Sequence, residues 1–235
     1  MSHARVIAID GPAAAGKSTV ARLLADRLGM LLFDTGALYR AVSLLAIRNG
    51  VDPSDGEDLA DLARSSTIEI GPRSKGDGRL FDVLLDGEDV TWRIRSPEVG
   101  AIVSRVSEHA EVRQALLSLQ RKIVEGQPVV MVGRDIGTVV VPDAGLKIYL
   151  DASPEERAKR RYEESLARGG AESYEAVLTE TQMRDRIDGG RAIAPLRAAE
   201  DAVRIRTDDM SVDEVVDVIE RLAIARGIVT SAVAS

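Results

Sequence analysis

Short apolar runs alternate along the chain with longer segments in which apolar residues recur every three or four positions. The runs predict buried strands, and the longer segments, such as STVARLLADRLG and DEVVDVIERLAIARG, predict amphipathic helices. Alternation of this kind is typical of an α/β fold in which a parallel sheet carries helices on both faces. The core strands are predicted at Arg5–Asp10, Met30–Asp34, Val129–Gly133, Lys147–Asp151 and Ala202–Thr207.

One part of the chain departs from this alternation. Ile68–Ile70 and the run RLFDVLLDGEDVT predict a small antiparallel sheet, with Asp86–Gly87 as the tight turn between its last two strands. Helices are predicted to follow at about 97–106 and 111–125. We therefore expect an insertion at 36–128 and a second, helical insertion at 153–195. The core then comprises residues 1–35, 129–152 and 196–235.

Composition excludes several classes of protein. The chain has no cysteine, so it can form neither disulfides nor thiolate metal sites, and we expect a cytoplasmic protein. Its N-terminal residues lack the pattern of a signal peptide, and it has no run of about 18 apolar residues. A formal net charge of −7 argues against a broad nucleic-acid-binding surface. We expect a monomer that binds neither nucleic acid nor membrane.

The strongest chemical signal is GPAAAGKST, residues Gly11–Thr19. It fits the pattern G-x-x-x-x-G-K-[ST], follows the first predicted strand and opens a predicted helix. A loop of this kind turns successive backbone N–H groups toward a polyphosphate. Lys17 would reach the β- and γ-phosphates, and the Ser18 hydroxyl would bind Mg²⁺. The motif therefore predicts a nucleoside triphosphate with Mg²⁺ as a ligand.

Other segments narrow the class of P-loop protein. The chain has no N-K-x-D guanine-binding motif, and its third predicted strand ends in Gly133-Arg134-Asp135 rather than directly in an aspartate. The second strand runs into DTGALYR, which places Thr35 and Arg40 at the same edge of the sheet. Arginines at the edge where ligands bind favour a second anionic substrate beside the nucleotide.

Two further segments are rich in arginine. SPEERAKRR predicts a helix with Ser153 as N-cap and Glu156 completing a capping box. Its arginines, Arg157, Arg160 and Arg161, lie on one helical face. They could bind an anion, or they could pair with Glu155, Glu156 and Glu164. The second segment, MRDRIDGGRAIAPL at 183–196, could likewise be a surface ion-pair network or an anion clamp.

The chemistry of the acceptor separates two kinds of kinase. A hydroxyl acceptor benefits from a carboxylate that takes its proton, and Asp34 or Asp135 could serve. A phosphate monoester needs no base, because it is largely ionised at neutral pH, but it needs cations that hold two anions in line. The arginines favour the second kind. The histidines, His3 and His109, have the character of incidental, solvated surface residues.

The motifs taken together resemble bacterial cytidylate kinases. The matching segments include IDGPAAAGKST, DTGALYR, DGEDVTWRIRSPEV, VSRVSEHAEVR, GRDIGTVVVPDAGLKIYLDAS, RAIAPL and TDDMSVDEVV. They occur in order over nearly the whole chain. The resemblance implies a P-loop core, a monophosphate-binding insertion with a small antiparallel sheet, and a helical lid. It implies transfer of the γ-phosphoryl group of ATP to CMP, and also to dCMP.

The resemblance also implies a role for each matching residue. Lys17, Arg134, Arg157 and Arg184 would be catalytic. ATP would bind to Gly11, Pro12, Ala13, Ala14, Ala15, Gly16, Lys17, Ser18, Thr19, Arg160 and Arg161, and Ser18 would be the metal ligand. CMP would bind to Thr35, Arg40, Ser104, Arg113, Arg134, Asp135, Asp188 and Arg191.

Several residues depart from the family pattern. Ala13 and Ala14 stand where Ser or Gly is frequent, and Ala110 stands where Pro is usual. Charged or polar residues are common where this chain has Ile187, Gly189 and Gly190, and an acidic residue is usual at the position of Arg206. Two alternative functions remain open from the residues alone, a P-loop kinase of another small metabolite and a nucleotide-binding switch with little turnover.

Overall fold

The computed structural model describes residues 3–167, 169–190 and 196–229, and of 187–189 it describes the backbone alone. The strands are β1 Val6–Asp10, β2 Leu31–Asp34, β3 Ile68–Pro72, β4 Phe81–Leu85, β5 Glu88–Asp89, β6 Val129–Val132, β7 Leu146–Asp151 and β8 Val203–Arg206. The helices are α1 Lys17–Leu28, α2 Gly36–Asn49, α3 Gly56–Ser65, α4 Pro97–Val106, α5 Ala110–Ile123, α6 Pro154–Ala167, α7 Tyr174–Gly190 and α8 Val212–Ala225. A 3₁₀ turn at Arg93–Arg95 and a π-helical turn at Ile136–Val140 complete the described elements.

The larger sheet has five strands in the order β2-β6-β1-β7-β8. β1 lies at its centre and pairs in parallel with β6 and β7, so that Ile7 lies opposite Val130 and Leu146. Every residue of β1 and β6 is buried, as expected for strands that are covered on both faces. The structure confirms the five predicted core strands, each within one residue at either end.

The smaller sheet is antiparallel, with the order β3-β4-β5. Ile68 pairs with Leu85, and Leu84 pairs with Asp89. Asp86 and Gly87 form the turn between β4 and β5 with φ angles of 50° and 82°. Positive φ at both positions is the geometry that Asp-Gly favours in a two-residue hairpin. The predicted sheet and its turn are therefore confirmed.

A buried arginine holds the loop between β3 and β4. The side chain of Arg79 is 3% exposed and forms ion pairs with Asp77, Asp82 and Asp89 at 2.8 to 2.9 Å. The Trp92 indole N–H also donates to Asp77, at 2.9 Å. Hydrogen bonds from Arg79 and then Trp92 hold the pKa of Asp77 well below its usual range. The cluster gives this glycine-containing loop a fixed position without an apolar core of its own.

The chain divides into two compact units, Met1–Met30 with Val129–Ser235, and Leu31–Pro128. In the first unit the fully buried side chains of Ile7, Ile9 and Met131 fill the core beside Leu24 of α1. In the second, Phe81, Leu85, Leu59, Ile94 and Leu116 are fully buried. Aliphatic residues thus dominate both cores, as the low aromatic content predicts.

The N-terminus of α6 differs from its prediction. Ser153 does cap the helix, since its Oγ accepts the N–H of Glu156 at 3.3 Å. The capping box is wrong, however, because the Ser153 N–H donates to Asp208 at 2.9 Å and the Glu156 carboxylate accepts from Arg160. A complete capping box occurs instead at the start of α8, between Ser211 and Glu214.

The two histidines have local partners. His3 is a surface residue whose ring lies 2.7 Å from the exposed carboxylate of Asp143. His109 is the N-cap residue of α5, and its Nε2 lies 3.0 Å from the carbonyl of Pro53. Across the described residues, no helix combines the length and the hydropathy that crossing a membrane requires.

Candidate active site

The P-loop connects the central strand β1 to α1. Gly11 has a φ angle of 146°, and a Cβ at this position would lie 2.0 Å from the carbonyl oxygen of Leu150 in β7. Gly16 has a φ angle of 83° immediately before the helix. The first glycine therefore permits the loop to pass close to β7, and the second permits a left-handed turn into α1.

Ala14 is an unusual residue within this loop, because its φ angle is 61°. The left-handed region is unfavourable for a residue that carries a Cβ. The departure from the family pattern at this position therefore leaves the turn intact and introduces local strain. The preceding residue, Ala13, contributes its carbonyl oxygen to a contact with α6 that is described below.

Lys17 lies over the loop that precedes it. Its ammonium group donates to the carbonyl oxygens of Gly11 at 2.7 Å and Pro12 at 2.6 Å. Ser18 and Thr19 follow on the first turn of α1, and both are exposed. The predicted lysine and hydroxyl groups are thus together at the N-terminal end of one helix, where the helix dipole favours anions.

The segment Gly133–Asp135 leaves the sheet beside this loop. The Gly133 N–H donates to the carbonyl of Ile9 at 3.1 Å, which continues the pairing of β6 with β1. Arg134 is partly buried and Asp135 is 7% exposed. Two of the predicted substrate-binding residues therefore lie at the carboxyl end of β6, next to the strand that carries the P-loop.

Asp10, the last residue of β1, was not among the predicted site residues. Its carboxylate is 4% exposed and accepts the N–H groups of Ile136 and Gly137, each at 2.8 Å. Burial raises the pKa of Asp10 to about 6, while these two N–H groups oppose that rise. The nearby Asp135 raises the pKa further and Lys17 lowers it. In the sequence, only its position directly before the P-loop could have indicated that Asp10 belongs to this site.

Arg157 connects the P-loop with α6 and α7. It is 2% exposed, and its Nε donates to the carbonyl of Ala152 at 3.0 Å. Nη1 donates to the carbonyl of Ala13 at 3.2 Å and to the Asp185 carboxylate at 2.9 Å, and Nη2 donates to the same carboxylate. The partner of this arginine is therefore Asp185, which had no predicted role, and none of the three glutamates that were considered.

Arg160 and Arg161 have different surroundings. Arg160 donates to the Glu156 carboxylate at 3.0 Å and to the backbone carbonyl of Thr207 at 2.7 Å, so it lies at the carboxyl end of β8. Arg161 donates to both carboxylate oxygens of Glu180 in α7 at 3.2 Å. Of the three arginines of this face, Arg160 pairs with a glutamate of its own helix, which was the alternative to anion binding. Arg157 and Arg161 pair with carboxylates of α7.

The arginine-rich segment at 183–190 is the last part of α7, which runs to Gly190. Arg184 is partly buried and Arg186 is exposed. The helix continues through Gly189 and ends at the second glycine. The side chain of Asp188 and the whole of Arg191 lie outside the described residues, so the structure does not test these two predictions.

In the second unit, Thr35 and Arg40 lie at the start of α2. Thr35 is 5% exposed, and the neighbouring Asp34 accepts the N–H of Gly36 at 3.0 Å. Arg40 donates to the carbonyl of Ile94 at 3.3 Å. Burial and the nearby Arg95 lower the pKa of Arg40, while Asp34 opposes this. Arg95, which had no predicted role, lies within a segment that matches the family.

Ser104 and Arg113 are connected through Ser107 within the same unit. The Ser107 hydroxyl donates to the carbonyl of Ser104 at 2.8 Å, and Arg113 donates to the carbonyl of Ser107 at 3.3 Å. The Arg113 guanidinium also lies over the ring of Tyr39, 5.6 Å from its centroid. Ser104 itself is exposed. The end of α4 and the start of α5 therefore bring the two predicted base-reading residues to one region.

Comparison with known proteins identifies the family. The model of the cytidylate kinase family matches residues 7–224. The chain belongs to the cytidylate kinase family. A cytidylate kinase of Pelotomaculum thermopropionicum is 54% identical over 91% of this chain and 93% of its own length. A cytidylate kinase of Herpetosiphon aurantiacus is 49% identical over 92% of each chain. The match confirms the family resemblance that the motifs indicated.

A solved structure supports the fold. The crystal structure of an uncharacterised protein from Eubacterium ventriosum has a TM-score of 0.52 with this chain at 13% sequence identity. The likeness covers 94% of this chain and 98% of that one. At this identity it supports the α/β architecture alone. Membership of the cytidylate kinase family favours neither a kinase of another metabolite nor a switch with little turnover.

Proposed function

We propose that this protein transfers the γ-phosphoryl group of ATP to CMP, which gives ADP and CDP, and that it also accepts dCMP. The observation that carries the proposal is the family match over residues 7–224, within which the whole P-loop is present. The chain is therefore a phosphotransferase with a phosphate as acceptor. It functions as a monomer, and it binds neither nucleic acid nor membrane.

ATP binds at the P-loop, Gly11–Thr19. Its phosphates face the backbone N–H groups of the loop and the positive end of α1. Lys17, which donates to two loop carbonyls, is at the correct end of the helix to exchange these acceptors for phosphate oxygens. Such a cation stabilises the charge that develops during phosphoryl transfer.

Mg²⁺ accompanies the ATP. The described residues contain no group of three or more His, Asp or Glu side chains that could hold a metal ion. Mg²⁺ is commonly held by one or two protein oxygens, substrate phosphates and water. The exposed Ser18 hydroxyl is the protein ligand in our proposal. When bound, the ion neutralises phosphate charge and orients the reacting groups.

The acceptor phosphate is held by guanidinium groups. Arg134 leaves the carboxyl end of β6, and Arg40 lies at the start of α2 with Arg95 close to it. A half-buried arginine whose pKa is lowered by burial and by a second arginine gains stability when an anion approaches. No base is required, because the CMP phosphate is largely ionised at neutral pH. Thr35 and Asp135 also bind CMP in this proposal, as the family resemblance implies.

The base is read in the second unit and the sugar by the end of α7 with residues that follow it. Ser104 and Arg113 contact cytosine, and their link through Ser107 supports a common role. Asp188 and Arg191 contact the nucleoside, as the family resemblance implies.

The arginines of α6 and α7 act on the phosphoryl group during transfer. Arg157 already contacts the P-loop through the carbonyl of Ala13, and Arg184 precedes its partner Asp185. Arg160 and Arg161 lie on the ATP side. Residues 153–195 form the lid, which excludes water that would otherwise accept the phosphoryl group. The core comprises 1–35, 129–152 and 196–235, and residues 36–128 form the monophosphate-binding insertion.

A coupled assay of ADP release tests the proposal. With ATP and Mg²⁺, we expect turnover with CMP and dCMP that exceeds turnover with UMP, AMP and GMP by about tenfold or more. Lys17→Ala serves as the background control, and we expect its kcat to fall by about a hundredfold, because a transition-state cation is removed. Equal turnover of all five monophosphates, or none with CMP, would contradict the function.

A further inference from the structure

Asp10 is a buried carboxylate that the phosphoryl-transfer chemistry does not itself use. It ends the central strand β1 and directly precedes the P-loop. Its two oxygens accept the N–H groups of two consecutive residues, Ile136 and Gly137, at 2.8 Å each. These partners lie 126 and 127 positions away in the sequence. The contact therefore joins two distant segments of the chain at one edge of the sheet.

The last two residues of β1 bind the chain on both sides of Arg134 and Asp135, which the proposed function assigns to the acceptor. On one side, the Gly133 N–H donates to the carbonyl of Ile9 at 3.1 Å. On the other side, the N–H groups of Ile136 and Gly137 bind the neighbouring residue Asp10. Arg134 and Asp135 lie between these two attachments. Consecutive residues of one strand thus fix both ends of a two-residue segment.

The segment has a second support from β7. A Cβ added at Gly137 would lie 3.1 Å from Cδ and 3.2 Å from Cγ of Lys147, and 3.4 Å from Oδ2 of Asp10. The ammonium of Lys147 is occupied by Asp201 at 2.9 Å. Gly137 therefore lies between the aliphatic part of one buried side chain and the carboxylate of another, which leaves little room for displacement.

We propose that Asp10 is a positioning residue for the acceptor substrate, and that it acts by holding Arg134 and Asp135 in the geometry that binds the CMP phosphate and sugar. The inference rests on the proposed function of these two residues. Asp10 does not touch the substrate. A carboxylate is required because both of its oxygens accept, whereas an amide would present one NH₂ group to a backbone N–H.

The charge state of Asp10 makes the proposal measurable. Burial raises its pKa to about 6, and the groups near it are Lys17, Asp135 and Tyr149. Above pH 6 both oxygens accept an N–H. Below it, the added proton removes one of these acceptors, so the attachment of the segment weakens as the pH falls.

Asp10→Asn is the direct test, with Asp143→Asn as a matched control. Asp143 is an exposed carboxylate of the same unit that pairs with His3. We expect the CMP KM of Asp10→Asn to rise about tenfold, as for the loss of a hydrogen bond to a charged group. Its ATP KM should not rise, because the substitution removes a negative charge near Lys17. Asp143→Asn should resemble the wild type.

Measurement on the wild type keeps the test independent of how well the variant folds. Cytidine 5′-sulfate lacks the second ionisation of a phosphate, so its inhibition constant against CMP is free of the acceptor phosphate's own titration near pH 6. We expect this constant to increase as the pH falls from 8 to 5, with a midpoint near 6, and to stay flat in Asp10→Asn. A flat wild-type profile, or an equal rise of both KM values in the variant, would overturn the proposal. Absence of any CMP turnover by the wild type would instead contradict the proposed function.

Discussion

At the scale of single residues, the site contains two features that reduce stability. The pKa of Asp10 is raised from its ordinary value of 3.8 to about 6. At a pH above 6 this shift lowers the free energy of unfolding by about 3 kcal/mol, because the buried carboxylate is then charged. The folded state binds this proton more tightly than the unfolded state, so this contribution to stability decreases as the pH rises from about 4 to about 6. Ala14 adds left-handed backbone strain in the P-loop. Both features lie where phosphate ligands are expected to bind.

Ala14→Gly should stabilise the protein. Glycine adopts a φ angle of 61° without the steric cost of a Cβ, about 1–2 kcal/mol, although its unfolded state has more conformational entropy. We expect the free energy of unfolding to rise by about 0.5 kcal/mol, as measured by urea denaturation. Ala15→Gly is the control, because Ala15 is buried and has no positive φ, and it should lower the free energy of unfolding by about 1 kcal/mol. A less stable Ala14→Gly would contradict the assigned strain.

At the scale of elements, the start of α5 tolerates the family's usual residue. Ala110 is the first residue of the helix, and its N-cap residue His109 has φ −69° and ψ 126°. This extended conformation is the one that a following proline requires. Proline is also favoured at the first helical position, because the N–H it lacks has no partner within the helix there. The departure at Ala110 therefore leaves the geometry of the helix start unchanged.

Ala110→Pro should raise the free energy of unfolding by about 0.4–1 kcal/mol, because it restricts the unfolded chain without strain in the folded one. Thermal and urea denaturation provide the measurement. Ala115→Pro, in the interior of the same helix, is the matched control and should destabilise by about 3 kcal/mol or more. If both substitutions destabilise alike, the helix does not begin at Ala110.

The helices α6 and α7 pack against each other as a pair. They are joined by the ion pairs Arg157–Asp185 and Arg161–Glu180 and by an edge-to-face contact between Tyr162 and Tyr174, whose ring centroids are 6.1 Å apart. Arg157 is buried and Arg161 is 29% exposed. Burial strengthens the first pair relative to the second, because water screens the second. The first pair also contacts the P-loop, so it connects this helical pair to the nucleotide site.

At the scale of the whole molecule, an acidic chain is proposed to bind anionic ligands. The chain carries 38 acidic and 31 basic residues, yet its proposed ligands are anions. The arginines of α6 reconcile the two, because each is neutralised by a carboxylate of the same unit. If a phosphate binds here, an arginine exchanges its carboxylate partner for the phosphate. Without ligand, the carboxylates reduce the electrostatic repulsion among the guanidinium groups.

Hydrogen exchange tests the proposed lid across the molecule. Without ligand, we expect amides of α6 and α7 to exchange faster than those of β1, β6 and β7, because the strands are buried on both faces. A bisubstrate analogue of ATP and CMP should slow exchange in α6 and α7 by about tenfold. Exchange at β3 and β4 provides the internal reference. Equal protection of α6 and α7 with and without the analogue would contradict a lid.

The sequence by itself determined the elements and the chemistry of the loop. The five core strands, the Asp86–Gly87 turn and the start and end of α4 were all predictable, because each depends on periodicity or on turn residues that are close together in the chain. The P-loop was predictable for the same reason. Ala14 could be identified as a departure, but not as a residue with positive φ.

Only the tertiary structure decided which distant residues meet. Asp10 with Ile136 and Gly137, and Arg157 with Asp185, are separated by 126, 127 and 28 positions. The sequence offered Arg157 three glutamates nearby on its own helix, and no local pattern distinguished them from an aspartate on the next one. Strand order and helix packing set these distances, and the buried guanidinium group of Arg157 pairs with the carboxylate that the packing places beside it.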